Sequence, residues 1–241
     1  AIALGSASRQ FATIAGPAIG GFLFVGGTAF VYVCAAVLFA IAFSQVYSIN
    51  AHQESSQRPP VTLEFLFAGI QFIWQRKVVL GAISLDLFAV LLGGATALLP
   101  IYAAQILHTE TWGLGLLRAA PAVGALLLAI YLSNNPLTQG SGKIMFYCVA
   151  LFGVCTIIFG VSTIFWISLL ALAILGAADM VSVVVRSSLV QLQTPDAMRG
   201  RVGAVNSIFI GASNQLGEFE SGVTAQWWGV EPAVAIGGIG T

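Results

Sequence analysis

The sequence predicts an all-α, polytopic transmembrane helix bundle, and three observations carry that prediction. Apolar residues fill 58% of the 241 positions and charged residues only 7%, against about 25% charged in ordinary soluble domains. The apolar residues gather into about eight runs, and a run of about 20 suffices for a helix to cross a bilayer. Lysine and arginine collect in the connections of one side. With a mean hydropathy of +0.95, a soluble domain of this length could not hide its apolar surface.

In chain order, the first crossing spans Ser8 to Gly27 and contains Gly16-Pro17-Ala18-Ile19-Gly20-Gly21. Gly16 and Gly20 are four apart, so they share a helix face and let another backbone approach closely. Pro17 removes a backbone donor and bends the helix. Gly26-Gly27 makes a very short break before the second crossing, Thr28 to Ile49. Asn50 to Pro60 is the one long polar stretch, with a double proline that disfavours helix before it. Val61 to Lys77 has apolar residues at helical spacing and a basic end, which predicts an interfacial helix along the membrane surface.

The third crossing, Val78 to Leu107, is long and interrupted by Gly93-Gly94 and Pro100, which predicts tilt or a kink. The fourth spans Gly113 to Leu132 and carries Arg118 and Pro121. The fifth runs from Lys143 to Ser162, and the sixth from Phe165 to Leu192 with Asp179 and Arg186. The seventh is Pro195 to Gly222, where the basic turn Met198-Arg199-Gly200-Arg201 precedes an uncharged run that ends at Glu218 and Glu220. The eighth begins after Trp227-Trp228. The chain begins within one apolar pattern and stops within another, which predicts a fragment truncated at both ends.

The seventh crossing has an echo. A shift of 201 positions lays Ala204, Ser207, Gly217 and Gly222 on Ala3, Ser6, Gly16 and Gly21. Such a repeat predicts corresponding pieces of two similar halves. The expected division is 1–49 for the last two helices of the first half, 50–77 for a cytoplasmic linker with its interfacial helix, and 78–241 for the second half, its last helix incomplete.

Crossings must alternate sides. The connections on one side hold Arg58, Arg76, Lys77, Lys143, Arg199 and Arg201, and those on the other hold no lysine or arginine. The basic side is therefore cytoplasmic. Arg199 and Arg201 read first as topology anchors, with a cytoplasmic gate or inter-helix ion pair as the alternative.

Three of these features resemble the major facilitator superfamily of transporters. Gly16-Pro17-Ala18-Ile19-Gly20-Gly21 is similar to the GP-x-x-GG core of the fifth-helix antiporter motif. Two further glycines of that motif are replaced here by Ala3 and Ala12. Pro195-Asp196-Ala197-Met198-Arg199-Gly200-Arg201-Val202 resembles the loop between the tenth and eleventh helices, and the repeat with its central linker resembles the six-plus-six plan. The loop from Ser133 to Lys143 keeps only Gly142-Lys143 of the usual signature. Asn214 to Gly222 is similar to a bacterial exporter branch that includes enterobactin-type siderophore exporters. The resemblance implies helices five to twelve of a major facilitator fold in a bacterial cytoplasmic (inner) membrane, multi-pass and monomeric when full length.

Charges inside a crossing are costly, about 2.5–3.5 kcal/mol each on insertion scales, and usually mark function. Asp179 and Arg186 are seven apart and share a face. Glu218 shares its face with Asn214, four before it, while Glu220 points about 200° away. That polar stripe favours Glu218 as the pathway residue, ahead of Asp179 and Glu220. Arg118 is a candidate partner for Glu218 by depth. Pairing with a neighbouring helix for packing alone remains the plain alternative for each charge, and it is favoured for Asp86.

A carboxylate in low dielectric takes up and releases protons near neutral pH. The expected function is therefore proton-coupled efflux of a small amphiphilic compound or siderophore by alternating access. The alternatives are a solute uptake permease and a non-transporting membrane sensor or structural protein. The partners are substrate, protons and the lipid bilayer; zero net charge gives no sign of nucleic acid. Cys34, Cys148 and Cys155 sit in apolar runs as packing residues, and His52 and His108 cannot complete a metal site with them. No cofactor is expected. No nucleophile triad, HExxH, CxxC or phosphate-loop pattern is present, which argues against an enzyme.

The topology has a direct check. Cysteines placed at Arg58 and Arg199 should both be labelled from the cytoplasmic side only by an impermeant reagent. Labelling from opposite sides overturns the arrangement.

Overall fold

The computed structural model describes residues 16, 19–20, 23, 26–48, 63–135 and 141–241. All regular structure among them is helical. The bilayer imposes this, because hydrocarbon offers no water to the backbone and a helix pairs its N–H and C=O groups internally. The helices are α1 (Thr28–Tyr47), α2 (Leu63–Gln75), α3 (Lys77–Leu92), α4 (Thr111–Asn134), α5 (Ser141–Val161), α6 (Phe165–Gln193), α7 (Asp196–Trp228) and α8 (Val230–Gly240). Among the described residues, five stretches are long and apolar enough to cross a membrane: α1, Lys77–Ile106, α4, Gly142–Val161 and α6. The expected linker at 50–60, and Pro17 and Gly21 of the glycine motif, lie outside the described residues. A Cβ built on Gly16 or Gly20 meets nothing within 4 Å.

The long third crossing is broken where its glycines stand. α3 ends at Leu92, and Gly93 donates its N–H to the Ala89 carbonyl at 2.9 Å. The chain continues as a 3-10 turn (Ala95–Leu98), a short α turn (Leu99–Ile101) and a π turn (Tyr102–Ile106). The Tyr102 hydroxyl, wholly buried, donates to the Gly160 carbonyl of α5. Its ring packs on Phe159 at 4.5 Å between centroids. This anchors the irregular segment in the outer core with Leu117, Ala171 and Leu172.

Two further cores lie toward the other end. Ile73 of α2, Val79 and Ile83 of α3, and Val202 and Val205 of α7 form one. Ala82, Met145, Val181 and Val185 form the other. α2, expected along the membrane surface, packs its buried face on α7, with Gly69 lying against the Arg201 carbonyl. α1 contributes no buried residue.

Trp112, Trp166, Trp227 and Trp228 are exposed at the non-basic ends of α4, α6 and α7. Amphipathic indoles favour the headgroup layer, so these four mark one interface, the outer one in the expected orientation. α6 has 29 residues and α7 has 33, lengths of about 43 and 50 Å at about 1.5 Å per residue. The hydrocarbon core takes only about 30 Å. The surplus therefore extends past the basic side, where Thr194 and Pro195 join α6 to α7.

Two breaks share one backbone geometry. Gly27 has φ 95 and ψ 160, and Gly229 has φ 90 and ψ 163. This left-handed region favours glycine, and each residue caps the helix after it. Gly229 follows Gly27 by 202 positions, one more than the offset of the sequence repeat.

Lipid tails are as apolar as leucine, so helices in a membrane associate through close packing of small residues. On α4 and α6 a Cβ added at Gly124 overlaps the Ala173 backbone, and one added at Gly176 overlaps Pro121. Gly124→Leu should therefore force α4 from α6, and overpacking of this kind costs about 1–3 kcal/mol. Gly81→Ala, in open space, should be close to neutral. Melting temperatures in detergent check the contrast, and equal behaviour of the two variants contradicts it.

Candidate functional site

The broken third crossing opens a cavity of about 320 Å³ at mid-depth. Val90, Gly93, Gly94 and Thr96 line it from the interruption. α4 contributes Pro121, Ala122 and Ala125, and α5 contributes Phe152. α6 contributes Leu172, Leu175, Gly176 and Asp179, and α7 contributes Asn214 and Glu218. Mostly small or apolar walls thus surround two carboxylates and an amide.

Local sequence explains the shape. Gly94 stands where a Cβ would come within 2.7 Å of both the Gly217 carbonyl and the Ser221 hydroxyl. Its missing side chain lets the interruption touch α7. Gly93 lies under the Phe152 ring. Pro121 is inside α4 and has no N–H for the Leu117 carbonyl, one turn earlier. Non-helical backbone at membrane depth persists only where protein buries it or a water-filled cavity takes its polar groups.

Asp179 stands 14 residues from each end of α6, about 21 Å from either end. Glu218 lies ten residues from the end of α7, about 15 Å below the outer tryptophans. The cavity therefore brings together Asp179, Asn214 and Glu218. Asp179 is half-buried and Glu218 exposed. Glu220 is half-buried and does not line it; its backbone carbonyl accepts the Thr224 hydroxyl at 2.9 Å.

Arg118 is not brought to the cavity. It stands one turn before Ala122, on the same face of α4 but nearer the outer end, and is exposed. Arg186 is 4% exposed, two turns below Asp179 on α6. Arg199 and Arg201 belong to the first two turns of α7. Arg201 donates to the Met198 sulfur at 3.6 Å, and Arg199 is exposed. Among the described residues no group of three or more His, Cys, Asp or Glu could hold a metal ion.

A second cavity of about 410 Å³ opens at the basic end, lined by the last turns of α6 and the first turns of α7. Sequence reasoning passed over it. Its one signal was the polar run Gln191-Leu192-Gln193-Thr194 closing an apolar helix.

Comparison with known proteins follows the same lines. Residues 1–241 match a family described as transmembrane secretion effector, within the MFS group. The enterobactin exporter EntS of Citrobacter koseri is 26% identical over 199 residues, which is 81% of this chain and 47% of that protein. The chain thus spans about half the length of the curated relative it matches.

If the cavity holds water, a thiol there ionises and reacts, whereas a thiol in lipid stays protonated. With Cys34, Cys148 and Cys155 replaced, Asn214→Cys should react with a charged thiosulfonate at least about tenfold faster than Val154→Cys, which faces outward on α5. Equal rates would mean that the cavity is dry.

Proposed function

The chain belongs to the transmembrane secretion effector family of the major facilitator superfamily, and from that premise we propose that it is a proton-coupled exporter. The substrate class is a small amphiphilic compound or siderophore, in keeping with the exporter it is similar to. The observation that carries the reading is the mid-depth cavity with Asp179 and Glu218 on separate helices. Its volume is near the lower end of ligand pockets, about 300–1,000 Å³, as suits one wall of a site shared between two halves.

In this reading α3–α8 form one half, and α1, with no buried residue, belongs to the other. The halves rock about a site at the bilayer midplane and expose it to each side in turn. Glu218 alternates between a proton and the substrate, so the inward proton gradient drives export. Asp179, across the cavity, fixes the polar end of the substrate, and the small apolar walls take the rest. The protein works as a monomer in a bacterial inner membrane.

Glu218→Gln removes the charge and keeps the shape. In inverted vesicles energised by a proton gradient, the variant's efflux should fall to the rate that the unaltered protein shows with an uncoupler, while its level in the membrane is unchanged. Unchanged gradient-driven efflux removes Glu218 from the mechanism. Accumulation in the direction of uptake replaces the exporter reading with a permease.

A further inference from the structure

We propose that the cytoplasmic cavity between the ends of α6 and α7 binds a phosphate group, held by Arg199, Thr194 and Asn206. The cavity is lined by Ser187, Val190, Gln191 and Thr194 on one side and by Arg199, Gly203, Asn206 and Ser207 on the other. Only one of these residues is apolar beyond glycine. So polar a lining suits a hydrated, charged ligand.

The stronger sign lies in two atoms. Thr194 is 3% exposed, and its hydroxyl is buried with no hydrogen-bond partner. The Asn206 side-chain oxygen is likewise buried and unpartnered. Leaving a buried polar group unsatisfied costs about 1–3 kcal/mol, and both orphans belong to residues that line one cavity, where a shared partner would relieve them. The Thr194 hydroxyl donates as readily as it accepts, and a half-turn of the Asn206 amide presents its N–H instead. Arg199 supplies the positive charge, and a guanidinium suits phosphate oxygens in geometry as well as charge. The adjoining turn carries Arg199 and Arg201 against one acid, Asp196. α7 also begins here, so the positive end of a 33-residue helix faces this region.

Depth identifies where the phosphate comes from. Counting about 20 residues inward from the outer tryptophan level exhausts the hydrocarbon near 185 on α6 and 208 on α7. Every lining residue lies beyond those positions, at the level of the inner-leaflet headgroups and the water next to them. Basic pockets between helices on the cytoplasmic side take anionic headgroups in this way. The same chemistry also admits free phosphate.

The test uses the protein purified in detergent, stripped of lipid, and measured by native mass spectrometry with added phosphatidylglycerol or diacylglycerol. A parallel arm follows thermal stabilisation by inorganic phosphate. Thr194→Val is the key variant. It replaces an unpaired buried hydroxyl with a methyl group, so folding is not weakened, and its melting temperature without lipid confirms that. Arg199→Gln is the second variant. The proposal expects phosphatidylglycerol, and not diacylglycerol, to bind, with roughly tenfold weaker binding in both variants. Stabilisation by phosphate that Thr194→Val abolishes, without lipid retention, assigns the site to a soluble phosphate. Neither ligand binding, or binding equal in Thr194→Val and the unaltered protein, overturns the proposal.

Discussion

Inside a bilayer, every backbone polar group must find a partner within the protein or in trapped water. That constraint governs where this bundle can be irregular. Between Leu92 and Ile106 the third crossing changes from α to 3-10 to π geometry, which would be intolerable against lipid. The chain pins the fault to its neighbours at three points. Gly94 seats against Gly217 of α7, the Tyr102 hydroxyl is anchored on α5, and Phe152 covers Gly93. The polar groups freed by the break then open onto the cavity that also holds Asp179 and Glu218. Site and distortion are one feature.

α7 shows how a single sequence serves two environments. Val202, Val205 and Gly217 pack on α2 and α3. The same helix also carries Arg199 and Asn206 at the lower cavity, and Asn214 and Glu218 at the upper one. These polar residues recur near helical spacing, so they form a stripe along the length of α7. Such a stripe is why α7 is less apolar than the five membrane-length spans. Its polar face meets cavities rather than lipid tails. Arg186, buried on α6 between the two levels, lies where a charge separates the upper polar cluster from the lower one.

Much of this was legible in the residues, for definite reasons. Apolar length gave the spans, since helix rise and bilayer thickness leave little freedom. Gly93-Gly94 and Pro100 announced the broken third crossing, because paired glycines and a nearby proline together weaken regular helix. The i, i+4 relation of Asn214 and Glu218 placed them on one face, and both line the cavity. What chain periodicity cannot supply is relation between helices. Asp179 and Glu218 meet through the packing of α6 and α7 around α3 and α4, which no local pattern encodes. Arg118 was matched to Glu218 by depth; it stands one turn before Ala122 and does not line the cavity. The orphaned Thr194 hydroxyl was invisible for the same reason: burial is set by whatever the fold places around a residue.

The attachment of α2 to α7 bears on how the proposed cycle proceeds. Gly69 rests against the Arg201 backbone and the Val205 side chain, and Ile73 shares a core with Val202. Interiors packed this closely shift as units and do not deform continuously. A displacement of α7 that opens or closes the upper cavity therefore carries α2 with it. It also changes the gap between α7 and the end of α6, where the lower cavity lies. A phosphate bridging that gap stabilises whichever state keeps Arg199 and Thr194 at bonding distance, and only to the extent that the other state separates them. On this geometry an occupied lower site would bias the upper one through α6 and α7, which line both, without contact between their ligands.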